Sequence, residues 1–241
     1  MNDRHPITSA SNPIEVDFLE SEDHGLPGRI GITIAPGKRT PDGKWARDLD
    51  RDLSVLRTQY GTDRLVSLIE PFEYRLLHIV ALPARARAAS IAQTRFAIRD
   101  VDIPRPTQRN AYIALIRGIV GNLRDGETVV IHCRGGVGRS GTVATSILNA
   151  RGHTPAQAVR RVRDARVPYA VSRKQLGWVS DLDHSYGADV EDPAIVARST
   201  AEDGAIATRP GWGPPWERET RVRGLRIRTD GDWAQGRLGD W

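Results

Sequence analysis

Cysteine is almost absent from this sequence, because Cys133 is the single cysteine among 241 residues. A lone cysteine cannot form an intramolecular disulfide, which excludes the small secreted proteins that depend on a disulfide framework. We therefore expect a reducing compartment and predict a cytoplasmic location. The histidines show no pairing with cysteine or carboxylates at metal-ligand spacing, so we expect no metal.

Long apolar runs are also missing. Residues 1–18 contain no apolar core of the kind that signal peptides carry. The longest apolar stretch, residues 111–120, is interrupted by Arg117 and is too short to cross a bilayer. We therefore expect no association with a membrane.

Lysine is scarce as well, since only three of the 35 basic residues are lysines and the rest are arginines. The formal net charge is +5, but the arginines are spread along the whole chain and form no stripe. Nucleic acid is for this reason not an expected partner, and the charge indicates only a mild preference for anions.

Strand and helix patterns alternate through the middle of the chain. Alternating or β-branched runs predict strands at residues 29–34, 64–69, 95–98 and 128–132. Helical spacing of apolar residues predicts helices at residues 48–60, 73–78, 107–123, 139–150, 155–166 and 172–184. This order predicts an α/β fold with a central, mostly parallel sheet flanked by helices.

Composition divides the chain into three regions. Residues 1–26 are polar and predict an irregular lead-in, and residues 27–187 contain the alternating elements. Residues 188–241 form an irregular tail rich in Gly, Pro, Trp and Arg, with four of the six tryptophans. Two interpretations of the tail stay open: a flexible, compositionally biased segment, or one that binds a partner protein or an anion.

The most informative stretch is residues 129–142. A β-branched strand ends at His132, Cys133 follows, and a glycine-rich loop leads to Arg139 and a helix. Glycines let successive backbone N–H groups turn inward around an anion, and the helix N-terminus adds positive potential. These features favour a thiolate at Cys133 and place its pKa below that of a free thiol. Arg139 can hold two phosphoryl oxygens, and Ser140 can donate a hydrogen bond to the sulfur.

The motif His-Cys-x-x-Gly-x-x-Arg-Ser-Gly-Thr at residues 132–142 resembles the signature loop of the cysteine-dependent protein tyrosine and dual-specificity phosphatases. Over about residues 28–186 the chain is similar to the cyclin-dependent-kinase-associated phosphatase group. The resemblance implies a protein tyrosine phosphatase-like fold, a phosphocysteine intermediate on Cys133, and no cofactor. It also implies that the loop binds phosphate through Arg134, Gly135, Gly136, Val137, Gly138 and Arg139. His132 is expected to bond near the Cys133 backbone and tune it.

A cysteine phosphatase also needs a carboxyl that protonates the leaving oxygen. Residues 96–104 resemble the family's acid loop, in which the catalytic Asp precedes a Pro by four positions, and Asp100 and Pro104 fit that spacing. Asp102 is the alternative acid. The family usually has small residues between the Asp and the Pro, and Val101 and Asp102 depart from that pattern. Gln175 resembles the glutamine that orients the hydrolytic water, with an ordinary helix-surface residue as the alternative.

The resemblance implies a protein-tyrosine or dual-specificity phosphatase, for which a phosphorylated protein is the expected substrate. Two alternatives stay open: a phosphatase of a phosphoinositide, inositol phosphate or nucleotide, and a catalytically silent phospho-binding scaffold. Basic residues at the variable loop positions favour the first alternative, and of positions 134, 136 and 137 only Arg134 is basic. Loss of the Cys, the Arg or the acid would favour the scaffold, and all three are present.

Overall fold

A five-stranded sheet forms the centre of the molecule in a computed structural model, which describes residues 5–182 and residue 186. The strands are β1 (Asp17–Phe18), β2 (Arg29–Thr33), β3 (Arg64–Ser67), β4 (Ala92–Arg95) and β5 (Thr128–His132). Their order is β1-β2-β5-β3-β4, with β1 antiparallel to β2 and every other pair parallel. The predicted α/β class with a central, mostly parallel sheet is therefore confirmed.

Eight α-helices are present among the described residues, together with a short 3₁₀ helix at Pro106–Gln108. The α-helices are α1 (Ser21–His24), α2 (Leu49–Thr58), α3 (Pro71–Leu76), α4 (Leu82–Ala88), α5 (Arg109–Arg124), α6 (Gly138–Ala150), α7 (Pro155–Ala165) and α8 (Arg173–Asp181). Side chains of Asp48, Thr154 and Ser172 accept hydrogen bonds from backbone N–H groups three residues on and thereby start α2, α7 and α8. These starts agree with the helices predicted from the sequence.

The direction of the connections distributes the helices over both faces of the sheet. The crossovers β2–α2–β3 and β3–α4–β4 run one way across the sheet, and β4–α5–β5 runs back. Because parallel crossovers are right-handed, α5 lies on the face opposite α2 and α4. Helix α6 packs against α5, α7, α8, β2 and β5 and is buried from residue 139 to 150. The carboxyl end of β5, where such sheets place their ligands, is thus central.

Two elements differ from the sequence prediction. Strand β4 lies at residues 92–95, not at 95–98, because the mostly polar segment 92–95 pairs with β3 at an edge of the sheet. The apolar residues that suggested the later strand continue beyond its end, and Ile98 is buried there. Helix α4 was not predicted, since seven residues are too few to show a helical period.

The beginning of the chain also differs from the irregular lead-in predicted for residues 1–26. Ile14, Val16 and Leu19 are buried, and Asp17–Phe18 pairs with β2 as an edge strand. A two-residue strand carries no periodicity, so this segment is ordered by tertiary pairing that sequence patterns do not reveal. The predicted tail, residues 188–241, lies outside the described residues. No helix in the described part of the chain has the length and hydropathy needed to cross a membrane.

Candidate active site

Cys133 lies directly after β5 and is buried. The loop that follows folds against the end of β2, where a Cβ on Gly136 would lie 2.4 Å from the Thr33 carbonyl oxygen. Gly136 also has a φ of 64°, in the left-handed region that favours glycine. This position can therefore hold only a glycine without distortion, and the loop curves tightly around Cys133.

The surroundings of Cys133 favour its thiolate. Burial raises the pKa of the thiol, but the positive charge of Arg139 lowers it. The hydroxyl and backbone N–H of Ser140 and the backbone N–H of Val137 lower it further. The net result is a pKa below the ordinary value, which the sequence analysis expected. A thiolate at this position is the form that attacks an electrophile.

Arg139, in the first turn of α6, is fixed by Glu73 of α3. Its Nη1 and Nη2 donate to the two Glu73 carboxylate oxygens at 2.6 and 2.9 Å, and both side chains are almost fully buried. Nη1 also donates to the Ile98 carbonyl at 3.0 Å. Burial lowers the pKa of Arg139, but the bond to Glu73 and the charges of Cys133 and Asp100 raise it above the usual value. The guanidinium is therefore permanently charged and held in one orientation.

Asp100 contacts the same guanidinium. Its Oδ1 lies 2.8 Å from Arg139 Nη2, and its side chain is 45% exposed, in contrast to Glu73. The Nε of Arg139 is buried and has no hydrogen-bond partner among residues 5–182. An oxyanion can therefore bind the free Nε, and it can also bind Nη2 if it takes the place of the half-exposed Asp100 carboxylate.

Asp102, the alternative acid, is directed elsewhere. Its carboxylate contacts Lys174 Nζ at 2.6 Å and accepts from the Ile103 backbone N–H at 2.8 Å. The bond from Lys174 is the main cause that lowers the pKa of Asp102. These partners hold Asp102 against α8, whereas Asp100 contacts Arg139.

Gln175 is buried and lies where the acid loop, α8 and the phosphate loop meet. Its Oε1 accepts from the Ser172 N–H at 2.9 Å, and its Nε2 donates to the Asp102 carbonyl at 3.1 Å. A Cβ on Gly138 would lie 3.1 Å from Nε2, so the amide touches the phosphate loop. Gln175 is thus not a helix-surface residue.

His132 belongs to a buried chain of hydrogen bonds. Its Nδ1 lies 3.2 Å from the Cys133 carbonyl oxygen and its Nε2 lies 2.5 Å from Ser67 Oγ, which accepts from Gln93. Burial lowers the pKa of His132 to about 4, so the ring is neutral near pH 7. Because a carbonyl oxygen can only accept a hydrogen bond, Nδ1 carries the ring proton and donates a hydrogen bond to the backbone carbonyl of Cys133.

Two cations that the sequence analysis did not assign to the site hold the loop from outside. Lys38 donates to the Arg134 carbonyl at 3.4 Å and lies over the ring of Trp45, 3.7 Å from its centroid. Burial, followed by the nearby charges of Arg134 and Arg47, lowers the pKa of Lys38 to about 8. Arg166 donates to the Gly136 carbonyl at 2.9 Å.

Glu73 was also missed as a site residue. It follows β3 by a few residues, as Cys133 follows β5, and these two strands are neighbours in the sheet. A carboxylate placed after a buried strand at the same edge is the signal that could have identified it. Among the described residues, no cluster of His, Cys, Asp and Glu could hold a metal ion.

Comparisons with known proteins give the family and the fold that this chain resembles. Residues 47–153 match a family described as "Polymorphic toxin system, DSP-PTPase phosphatase". A search of curated proteins found no significant match.

Solved structures share the fold. Kinase-associated phosphatase, in a variant whose catalytic cysteine is serine, is 21% identical with a TM-score of 0.67, and covers 73% of this chain and 98% of its own. The active form of Tk-PTP is 25% identical with a TM-score of 0.54, covering 70% and 95%. A protein tyrosine phosphatase from Leishmania major is 16% identical with a TM-score of 0.52, covering 69% and 97%. The resemblance to dual-specificity phosphatases, including the kinase-associated group, is therefore confirmed.

Proposed function

We propose that this chain is a cysteine-dependent phosphomonoester hydrolase of the protein-tyrosine or dual-specificity type. The observation that carries the proposal is the arrangement around Arg139, whose guanidinium is fixed by buried Glu73, faces the Cys133 loop and contacts exposed Asp100. A nucleophile, an oxyanion site and a proton donor thus meet at one edge of the sheet.

The first step of the proposed reaction transfers the phosphoryl group to sulfur. The Cys133 thiolate attacks phosphorus, the S–P bond forms and the ester P–O bond breaks. Protonated Asp100 gives its proton to the departing oxygen, which leaves as an alcohol or phenol. Arg139 and the loop N–H groups stabilise the equatorial oxygens, in positions set before substrate binds.

The second step returns the enzyme to its starting state. Asp100, now a carboxylate, takes a proton from water, whose oxygen attacks phosphorus while the S–P bond breaks. The products are inorganic phosphate and the Cys133 thiolate, which Ser140 and the Val137 N–H stabilise. In this proposal Gln175 helps to orient that water, and the proximity of its amide to Gly138 supports the assignment. No step needs a metal or an organic cofactor.

The decisive experiment is hydrolysis of p-nitrophenyl phosphate in the presence of EDTA. The wild type is expected to turn over, and Cys133→Ser is expected to lose activity while keeping the fold by circular dichroism. Absence of turnover by a reduced wild-type protein that still binds vanadate would point to the phospho-binding scaffold. Loss of activity on chelation would contradict the thiolate mechanism.

The proposed substrate is a phosphorylated protein, and the alternative is a non-protein phosphate. The buried ammonium of Lys38 beside the loop favours anionic substrates in general and does not separate the two. Rates should be compared on phosphotyrosine and phosphothreonine peptides, a phosphoinositide and a nucleotide. A kcat/KM for one peptide well above that for the others supports the protein substrate, and a higher value for the phosphoinositide or nucleotide would overturn it.

The family description names a polymorphic toxin system, and we extend the proposal to that context. The chain would then act on phosphorylated molecules of a recipient cell. Induced expression of the wild type inside a test cell should slow growth, and Cys133→Ser should not. Equal growth with both, when the purified wild type is active, would contradict this role.

A further inference from the structure

Arg166, at the end of α7, contacts the backbone of the phosphate loop. Its Nε donates to the Gly136 carbonyl at 2.9 Å, and its Nη1 forms an ion pair with Asp17 of β1. The Arg166 side chain is 17% exposed, so the bond to Gly136 is well shielded from water. Arg166 therefore links an edge strand to the loop that surrounds Cys133.

The planarity of the peptide bond gives this contact a consequence at the sulfur. In a trans peptide the carbonyl of Gly136 and the N–H of Val137 point in opposite directions. With the carbonyl held toward Arg166, the Val137 N–H points to the opposite side, and the Val137 N–H is one of the groups that lower the pKa of the Cys133 thiol. A reversed peptide would direct a carbonyl oxygen at the thiolate. Gly136 can accommodate such a reversal, but Val137, whose φ is −124°, would be driven toward a positive φ, so the bond from Arg166 and the Val137 backbone act together against it.

We propose that Arg166 is a positioning residue of the phosphate loop, which fixes the Gly136–Val137 peptide with its N–H toward Cys133, and that Asp17 in turn orients Arg166. The inference rests on the proposed function, because it concerns the nucleophile of that reaction. Under this proposal strand β1 contributes to the reaction, because its Asp17 orients the arginine that bonds to the phosphate loop.

Other groups also face Cys133 and must be separated from this effect. Arg139 approaches from α6, Lys38 from the loop after β2, and neutral His132 from β5. Glu73 and Asp100 act through Arg139. In the described part of the chain, the Arg166 side chain bonds to Gly136 and Asp17 and to none of these groups. A change at Arg166 therefore leaves these groups in place and alters only the peptide between Gly136 and Val137.

The test is the pH dependence of Cys133 alkylation by iodoacetamide, with the full chain and without substrate. In Arg166→Met the midpoint of the alkylation profile should rise by about one pH unit, a roughly tenfold loss of thiolate at low pH. Asp17→Asn should shift the midpoint in the same direction by less. Lys174→Met removes a positive charge at the same edge of the sheet without contacting the loop, and should leave the midpoint unchanged.

Two results would overturn the inference: an unchanged midpoint in a folded Arg166→Met protein, or an equal shift in Lys174→Met. If Arg166→Met does not fold, an unchanged midpoint in Asp17→Asn would overturn it instead. Because alkylation needs no substrate, these outcomes differ from a failure of the proposed function. A wild type that hydrolyses no ester but shows the Arg166-dependent midpoint would refute the phosphatase proposal and leave this inference standing.

Discussion

Arg139 is contacted by two carboxylates whose burial differs, and the difference indicates two separate roles. Glu73 is almost fully buried and binds the guanidinium with both oxygens. Asp100 is 45% exposed and makes one contact to Nη2. A buried bidentate partner fixes the orientation of an arginine, whereas an exposed carboxylate can exchange that contact for a substrate oxygen. Glu73 is therefore expected to matter for folding and phosphate affinity, and Asp100 for the chemical step.

Replacement of Glu73 by Gln should destabilise the protein and weaken anion binding. Loss of the Glu73 charge leaves the buried Arg139 guanidinium with only the half-exposed Asp100 as a counter-charge, so we expect the free energy of unfolding to fall by about 3 kcal/mol. Urea unfolding and vanadate titration measure the two effects. Glu127→Gln is the matched control, since its pair with Arg64 is partly exposed and should contribute less than about 1 kcal/mol. Equal losses in both variants would contradict the assigned role of Glu73.

Replacement of Asp100 by Asn should slow ester hydrolysis in a way that depends on the leaving group. A general acid contributes about 10²–10⁴-fold, and most where the leaving oxygen is strongly basic. We therefore expect a larger loss of kcat on phenyl phosphate than on p-nitrophenyl phosphate. Asp102→Asn disturbs only the ion pair with Lys174 and the hydrogen bond from the Ile103 backbone N–H. It should therefore change neither rate by more than about threefold. The opposite ranking would identify Asp102 as the acid.

The acid loop is a strained element. Val101 has a φ of 57°, and its side chain is 77% exposed, so no packing compensates for the left-handed conformation. A β-branched residue is unfavourable there by about 1–2 kcal/mol, whereas asparagine tolerates it. The departure from small residues noted in the sequence thus has a measurable conformational cost at the loop that carries Asp100.

Val101→Asn should raise the free energy of unfolding by about 1 kcal/mol by relief of this strain. Thermal and urea unfolding provide the measurement. Val80→Asn is the matched control, because Val80 is also exposed and is not among the residues with positive φ. An increase in stability for both variants, or for neither, would show that the backbone of Val101 is not the cause.

The elements that sequence patterns predicted are those whose pattern is local. Strand β5 is a run of apolar and β-branched residues and begins and ends where it was expected, at 128 and 132. The motif at residues 132–142 predicted that Cys133 and Arg139 belong to one loop, and this prediction needed no knowledge of the tertiary structure. Lys38, Glu73 and Arg166 could not be found this way, because they reach their loop partners across 96, 66 and 30 positions. Such contacts depend on strand order, which no local pattern encodes.

At the largest scale, the segment before β2 is bonded to residues that lie next to the active site. Arg47, in a buried ion pair with Asp52, donates to the Asn12 carbonyl at 2.9 Å. Thr33 Oγ1 donates to the Glu15 carbonyl at 2.6 Å. The backbone carbonyl of the same residue, Thr33, limits the space at Gly136. The N-terminal segment therefore supports the phosphate loop through Thr33. Contacts with other parts of the domain hold this segment in place, and its own sequence pattern does not.

Buried histidines make the stability of this domain depend on pH. Burial is the main cause that lowers the pKa of His24 and of His132 to about 4, from an ordinary 6.5. Between pH 4 and 6.5 the unfolded chain binds more protons than the folded one, so stability rises with pH through this window. The stabilisation is fully present above pH 6.5 and is lost as the pH falls toward 4. Asp23 acts in the opposite direction, because burial raises its pKa.

His24→Asn tests this dependence away from the active site. An asparagine can still accept the Leu26 N–H, which bonds to His24 Nδ1 at 3.2 Å, but it does not titrate. From pH 7 to pH 4 the wild type should lose about 3 kcal/mol more of its free energy of unfolding than the variant does, as a shift of this size requires. Urea unfolding across this range measures the difference, with the exposed His5→Asn as control. Parallel curves for wild type and His24→Asn would show that His24 is protonated at similar pH in both states, and that the acid sensitivity has another source.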